Sequence, residues 1–283
     1  MTAFGLPVQG AMRLSVRYSS AEWRRSDAEV ENASTPLKPM PVPPFQLLRG
    51  ANVFLDFDGT LVEIAERPDA VRVNDRLATL MQGLWERLEG RMAVISGRSA
   101  GEVRALLGIN AMTVVGSHGL EFCWGDGRIE AVERPAALGC ALAAMRELAA
   151  AIPGVLVEDK PLGAALHFRQ APSAEQACMD LAGRLAPELG LKLQSGKMMV
   201  ELRADGGDKG SAIRRLMQEP VFAAARPLFF GDDVTDEPGF AAAQEMGGSG
   251  VLIGPVRISA AQYRLDGVAA MLDWLETASE VTA

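Results

Sequence analysis

Val53-Phe54-Leu55-Asp56-Phe57-Asp58-Gly59-Thr60 closes an apolar run with two carboxylates two residues apart, then a Gly-Thr turn. An apolar run that stops this way reads as the first strand of a parallel sheet, and ligands of such sheets collect beyond the carboxyl ends of the strands. Residues at i and i+2 of an extended chain project to one side, so Asp56 and Asp58 are expected to face a single crevice. Two anions that close are costly unless a cation sits between them or one is protonated. Asp and Gly are also ordinary turn residues, so the segment alone fits an acidic turn. The paired carboxylates suit phosphoryl transfer.

Outward from this segment, apolar runs alternate with amphipathic segments, the signature of βαβ units and a parallel sheet. Residues 52–57 form the first expected strand. Leu77, Leu80, Met81, Leu84 and Leu88 recur at helical spacing over 75–88. A strand at 92–95 ends in Ser96-Gly97-Arg98, a short helix covers 101–107, and a third strand at 113–115 ends in Gly116-Ser117-His118-Gly119. Two later strands, 227–230 and 250–253, follow, the first ending in Gly231-Asp232-Asp233. Between these halves the pattern predicts helix 136–151, strands 155–158 and 163–168, helix 173–189 and two more strands. That helix-strand-strand order, repeated, reads as an α+β unit inserted after the third core strand. The expected division is a core of 49–125 and 203–283 with a cap of 126–202, the cap acting as a lid that excludes water and selects substrate.

Residues 1–48 mix Arg, Ser and Glu and then run into a Pro-rich stretch from Pro36 to Pro44. They read as a poorly ordered tail and an extended linker. With 283 residues and 48% hydrophobic content, the chain has material for one large domain or two modest ones. A formal charge of -8 argues against a nucleic-acid partner, which calls for a basic face. Cys123, Cys140 and Cys178 lack metal-type spacing, and they are too few for a disulfide framework. No apolar stretch approaches the roughly twenty residues of a spanning helix, and no secretory signal opens the chain. A soluble cytoplasmic protein with no membrane partner is therefore expected.

Taken together, Asp56-x-Asp58-Gly59-Thr60, Ser96, Lys209 in Gly207-Asp208-Lys209-Gly210, and Gly231-Asp232-Asp233-Val234-Thr235-Asp236-Glu237 resemble, in order, the four signature motifs of the haloacid dehalogenase phosphatase superfamily. From about residue 50 to the carboxyl end the chain is similar to the bacterial trehalose-6-phosphate phosphatases. Further motifs carry this likeness: Ile95-Ser96-Gly97-Arg98, Gly116-Ser117-His118-Gly119-Leu120-Glu121, and Gly196-Lys197 through Val200-Glu201. The resemblance implies an α/β fold with a Rossmann-like core and an inserted α+β cap.

It also implies Mg²⁺-dependent hydrolysis of trehalose 6-phosphate. Asp56 would be the nucleophile, forming an aspartyl phosphate, and Asp58 the general acid and base with a raised pKa. Ser96 and Lys209 would stabilise the transferring group. Seen singly, Ser96 fits a helix cap and Lys209 a surface charge. Backbone N–H groups of Gly59 and Thr60 would reach the phosphoryl oxygens, and Gly97, Arg98, His118 and Gly119 would border the substrate. The metal would be held by Asp56, the main-chain carbonyl of Asp58, Asp232, and Asp233 or Asp236, with hard oxygen ligands suiting Mg²⁺. An acidic cluster before a helix also fits stabilisation by the helix dipole.

In the cap, Glu158, Lys160, Lys197 and Glu201 match the sugar-binding positions of the family, and as bare residues they also fit exposed strand-end charges. His167, within an apolar strand, is assigned to the cap core. The implied partner is a small sugar phosphate, with room for a functional link to a trehalose-6-phosphate synthase. Other sugar phosphates, of sucrose or glucosylglycerol type, and a non-catalytic phosphosugar-binding regulator are the alternatives. Two positions depart from the pattern. Asp208 places a carboxylate beside Lys209, where it either weakens that cation or caps the helix. Ser117 stands where many relatives carry an acid.

Overall fold

The computed structural model describes residues 39–281. Strand β1 (Ala51–Leu55) is buried along its whole length and pairs in parallel with β2 (Met92–Ile95), which pairs in parallel with β3 (Thr113–Gly116). Helices α1 (Asp75–Arg87) and α2 (Ala100–Leu107) make the crossovers. Their sequence ends are marked by side-chain caps, Asn74 accepting from Leu77 N and Ser99 from Glu102 N. After β3 the chain doubles back through β4 (Glu121–Cys123) and β5 (Ile129–Ala131), both antiparallel.

The inserted unit follows as α3 (Leu138–Ala151), β6 (Leu156–Lys160), β7 (Gly163–His167), α4 (Glu175–Leu189), β8 (Lys192–Gly196) and β9 (Met199–Arg203). The chain then returns through α5 (Lys209–Leu216), β10 (Arg226–Gly231), α6 (Glu237–Glu245), β11 (Ser249–Ile253), β12 (Tyr263–Leu265) and α7 (Val268–Val281). The core sheet runs β12-β11-β10-β1-β2-β3-β4-β5, parallel from β12 to β3. One apolar cluster joins α1, α2 and α7 to one face, and a second joins α5 and α6 to the other, the doubly covered arrangement that continuous apolar strands require.

The cap sheet, β6-β7-β9-β8, is antiparallel throughout. Ala164, Leu166, Val200 and Leu202 pack under α3 and α4 in a separate core. Because successive strand residues point to opposite faces, the alternating set Glu158, Lys160, His167, Gln194, Glu201 and Arg203 falls on the face away from those helices.

Several expectations need correction. The first strand ends at Leu55, not Phe57, because the N–H groups of Leu61 and Val62 both turn back to the Phe57 carbonyl, at 2.9 and 3.1 Å. The extended-chain argument for Asp56 and Asp58 therefore fails, although both still border one cavity. Strand β5 lies inside the range expected for the cap yet pairs with the core sheet. Strands β4, β5 and β12 and helix α7 go beyond the expected pattern, whereas α6 is the helix expected after the acidic cluster. Of the expected tail, 1–38 lies outside the described residues, but 39–48 is docked. Trp274 Nε1 donates to the Pro43 carbonyl at 2.8 Å, Arg264 N donates to the Pro41 carbonyl at 3.0 Å, and Leu48 is buried in the core.

Candidate active site

The loops after β1, β2, β3 and β10 meet the start of α5 at the carboxyl end of the sheet. Asp56, the first residue beyond β1, is buried, with Lys209 Nζ 2.6 Å from its Oδ1 and the Thr60 hydroxyl donating to its Oδ2 at 3.1 Å. Lys209 opens α5. Asp208 caps that helix by accepting from Ser211 N at 2.7 Å, which decides between the two readings of Asp208 in favour of capping. Lys209 is therefore no surface charge: it is buried and also sits 2.6 Å from Asp236 Oδ1. The other oxygen of Asp236 accepts the N–H groups of Asp232 and Asp233, each at 2.9 Å. Asp233 instead turns its side chain to cap Val234 N.

Burial pushes the Asp56 carboxyl well above the usual carboxylate range; Lys209 counters this, while Asp236 and Asp232 add to it. Asp232 is likewise raised by burial, with the Lys197 ammonium opposing. On Lys209, burial works against the charge but Asp236 and Asp56 outweigh it, holding its pKa above the ordinary value. The site thus concentrates more negative charge than its lysines neutralise.

Oxygens of Asp56, Asp232 and Asp236 lie within 4.8 Å of one another. Hard carboxylate donors at that spacing, with their charge only partly offset, fit an oxygen-seeking divalent cation such as Mg²⁺. Between Asp233 and Asp236, it is Asp236 that joins the cluster.

On the β2 and β3 side, Ser96 Oγ accepts from Arg98 N at 3.1 Å and borders the cavity. Arg98 makes a two-pronged pair with Asp58, at 2.7 and 3.0 Å, and also bonds Glu102 and the Pro68 carbonyl. Its donors thus hold the acid and the α2 end, while Arg98, like Gly97, borders the cavity as expected of a substrate-side residue. The expected N–H cradle is revised: Gly59 N donates to Val62 O at 2.7 Å and Thr60 N to Phe57 O at 3.4 Å, within the turn. Gly59 matters for space. Its φ is +88°, and a Cβ there would overlap the Asp232 carboxylate. Gly119 does not border the cavity but packs against the Asp208 backbone under the α5 start. The His118 ring rests on Gly97 and borders the cavity, and burial lowers its pKa against the opposing pull of Glu201.

From the cap, Glu158, Lys160, Lys197 and Glu201 all border the same cavity. Lys160 Nζ lies 2.8 Å from Glu201 Oε2 and 3.4 Å from the Gly97 carbonyl of the core. Burial opposes ionisation of Glu201, but Lys160 and His118 hold it down to about 2. Lys197 reaches across to Asp232. His167, assigned above to the cap core, stands on the opposite face of β7, 2.7 Å from Glu158 and open to the cavity. Gln194, its buried partner Arg203 and Arg169 lie beyond the expected site, Gln194 and Arg169 bordering the cavity and Arg203 holding Gln194 from behind. Period-two alternation along β8 and β9, applied outward from Glu201, would have found the first two. The cavity holds about 170 Å³, more than tenfold what one water needs by that measure. The core and the cap both contribute to its walls.

A parallel α/β core with a buried aspartate after its first strand, a lysine opening a late helix and an inserted α+β cap defines the haloacid dehalogenase type of fold. The chain resembles a C. albicans trehalose-6-phosphate phosphatase C-terminal domain at TM-score 0.76, with 22% identity over 85% of this chain and 98% of that one. A structure described as a trehalose-6-phosphate phosphatase related protein aligns at TM-score 0.68, with 24% identity over 81% of this chain and 97% of that one.

The family model described as Trehalose-phosphatase matches residues 54–269, and the chain belongs to that family. It is a phosphoric monoester hydrolase. Trehalose-6-phosphate phosphatase of Escherichia coli (strain K12) is 40% identical over 227 residues, covering 79% of this chain and 84% of that protein. A protein named probable trehalose-phosphate phosphatase in Sinorhizobium fredii is 35% identical over 207 residues, covering 72% of this chain and 77% of its own. Among the described residues no helix is long and apolar enough to cross a membrane.

Proposed function

We propose that the chain hydrolyses trehalose 6-phosphate to trehalose and phosphate, with Mg²⁺ and through an aspartyl phosphate on Asp56, as the last step of trehalose formation in the cytoplasm. The observation that carries this reading is one cavity with two chemically distinct walls. Asp56, Lys209 and Ser96 line it from the core, and Glu158, Lys160 and Glu201 from the cap. A phosphoryl group suits the first and sugar hydroxyls the second. The core, the lid-like cap and a functional link to the enzyme that supplies the sugar phosphate belong to the same proposal.

Asp56, oriented by Thr60 and Lys209, attacks phosphorus in line as the bond to the sugar oxygen breaks. Asp58 gives that oxygen a proton, which requires its carboxyl to leave Arg98 for the leaving group. Asp58 then takes a proton from the water that attacks the aspartyl phosphate, releasing phosphate and restoring Asp56. Lys209 and Ser96 offset charge on the phosphoryl oxygens. Mg²⁺, which Asp56, Asp232, Asp236 and the Asp58 carbonyl would hold, would supply positive charge to the same oxygens. Asp236 keeps Lys209 and the 232–233 backbone in place.

Phosphate release from trehalose 6-phosphate, sucrose 6-phosphate and glucose 6-phosphate, with and without chelator, tests the reading. Selective, chelator-sensitive turnover of trehalose 6-phosphate is expected. Equal rates on glucose 6-phosphate would sink the substrate assignment, and no turnover on any ester would leave a phosphosugar-binding regulator.

A further inference from the structure

Arg203 is the bulkiest fully buried side chain among the described residues. A buried guanidinium is expensive to maintain, and all three of its hydrogen bonds go to uncharged oxygens. Nη1 donates to the Ala204 carbonyl at 3.0 Å and Nη2 to the Gly207 carbonyl at 2.7 Å, both on the segment that returns the chain from cap to core. Nε donates to the Gln194 side chain at 2.8 Å. A guanidinium has donors only, so the Gln194 atom it meets must be the carboxamide oxygen. The amide NH₂ is thereby forced the other way, into the cavity, where it stands 2.8 Å from His118 Nε2.

Strand register puts this NH₂ in a row with the sugar-side acids. Glu158 pairs with Ala165, Ala165 with Glu201, and Glu201 with Gln194. The two carboxylates can only accept hydrogen bonds, whereas each sugar hydroxyl and ring oxygen also offers lone pairs. An amide NH₂ has two hydrogens, and His118 takes at most one of them.

We infer that Gln194 is a further substrate-recognition residue, donating from its cavity-facing NH₂ to a sugar oxygen, and that Arg203 is the positioning residue that fixes that orientation. This rests on the function proposed above and adds a donor to its acceptor row. A glutamate at 194 would keep the Arg203 bond and lose the donor, so the identity of the group, not its size, is what the cavity uses.

The test compares kcat/KM for trehalose 6-phosphate with that for p-nitrophenyl phosphate in wild type, Gln194→Ala, Gln194→Glu, Arg203→Lys and the Gln194→Ala/Arg203→Lys double variant. Loss of one neutral hydrogen bond predicts that the ratio falls about three- to tenfold in Gln194→Ala and Gln194→Glu, mainly through KM for the disaccharide. Arg203→Lys, with one nitrogen for three acceptors, lowers it similarly. The double variant falls no further than the worse single one, because both act on one contact. An unchanged ratio in Gln194→Ala, a wild-type-like Gln194→Glu, or equal losses on both substrates would overturn the inference, as would additive effects in the double variant. Should Arg203→Lys fail to fold by circular dichroism, the two Gln194 variants decide. A wild type that does not prefer trehalose 6-phosphate over glucose 6-phosphate refutes the underlying function instead.

Discussion

Replacing Glu201 by glutamine should cost the folded protein about 3 kcal/mol at neutral pH, and less in acid. Glu201 is buried and its carboxylate lies 2.8 Å from Lys160. Its pKa is held near 2 against an ordinary 4.5, a difference worth about 3 kcal/mol at roughly 1.36 kcal/mol per pKa unit. A carboxyl whose folded pKa is depressed adds stability that is complete above about 4.5 and fades as pH falls through about 2. Between pH 7 and pH 3.5 the same linkage shrinks the contribution to about 2 kcal/mol. Urea denaturation of wild type and Glu201→Gln at both pH values measures it, since acids remote from Glu201 titrate alike in both proteins and cancel in the difference. A destabilisation of about 3 kcal/mol at pH 7 that narrows by about 1 kcal/mol at pH 3.5 is expected. A variant as stable as wild type, or a gap that does not change with pH, would refute the claim that Lys160 and Glu201 form a buried ion pair.

Other perturbations separate chemistry from folding. Asp56→Asn should take phosphate release to background while leaving the thermal midpoint unchanged or raised, because the acid is buried against two others; turnover near wild type would remove Asp56 as nucleophile. Gly59→Ala should displace Asp232, since a Cβ at φ +88° overlaps that carboxylate; weaker Mg²⁺ binding by calorimetry checks it, and wild-type affinity would count against the metal role of Asp232. Trp274→Phe removes the bond to the Pro43 carbonyl, so a loss of about 1 kcal/mol in urea denaturation is expected; no loss would mean that the 39–48 segment is not held there.

What sequence could reveal followed from how local each cause was. The strand-end loops carrying Asp56, Ser96, His118 and Asp232 were legible because a parallel sheet puts its chemistry where apolar runs stop. The short strand Glu121–Cys123 and the edge strand Ile129–Ala131 were not, because three residues are too few to carry a periodic signal and those at 129–131 are all exposed. Docking of residues 39–48 was hidden for another reason: proline-rich chain looks the same whether solvated or laid along Trp274, and the deciding bond comes from 231 residues away. At the site, types and motifs found the charged residues, whereas partners decided their use. Nothing in Ile95-Ser96-Gly97-Arg98 says that the arginine turns to Asp58, and nothing in Gly59-Thr60 says that the N–H groups close their own turn while the Thr60 hydroxyl holds Asp56.

The arrangement of those partners explains how one buried acid can be kept reactive. Asp56 lies among Asp232 and Asp236, and their repulsion alone would favour protonating it or moving it away. Movement is blocked on both oxygens, by Lys209 on one side and Thr60 on the other. Lys209 cannot drift because Asp236 holds it, and Asp236 cannot because two backbone N–H groups fix its second oxygen. The Asp208 cap then anchors the first turn of the helix that carries Lys209. The links from Thr60 through Lys209 to Asp236 are buried, so the excess negative charge is retained at a fixed place, and added positive charge there is favoured without rearrangement. A cation and a phosphoryl group together meet that demand. The cluster therefore lowers the stability of the empty fold in the same measure as it prepares the site for its ligands.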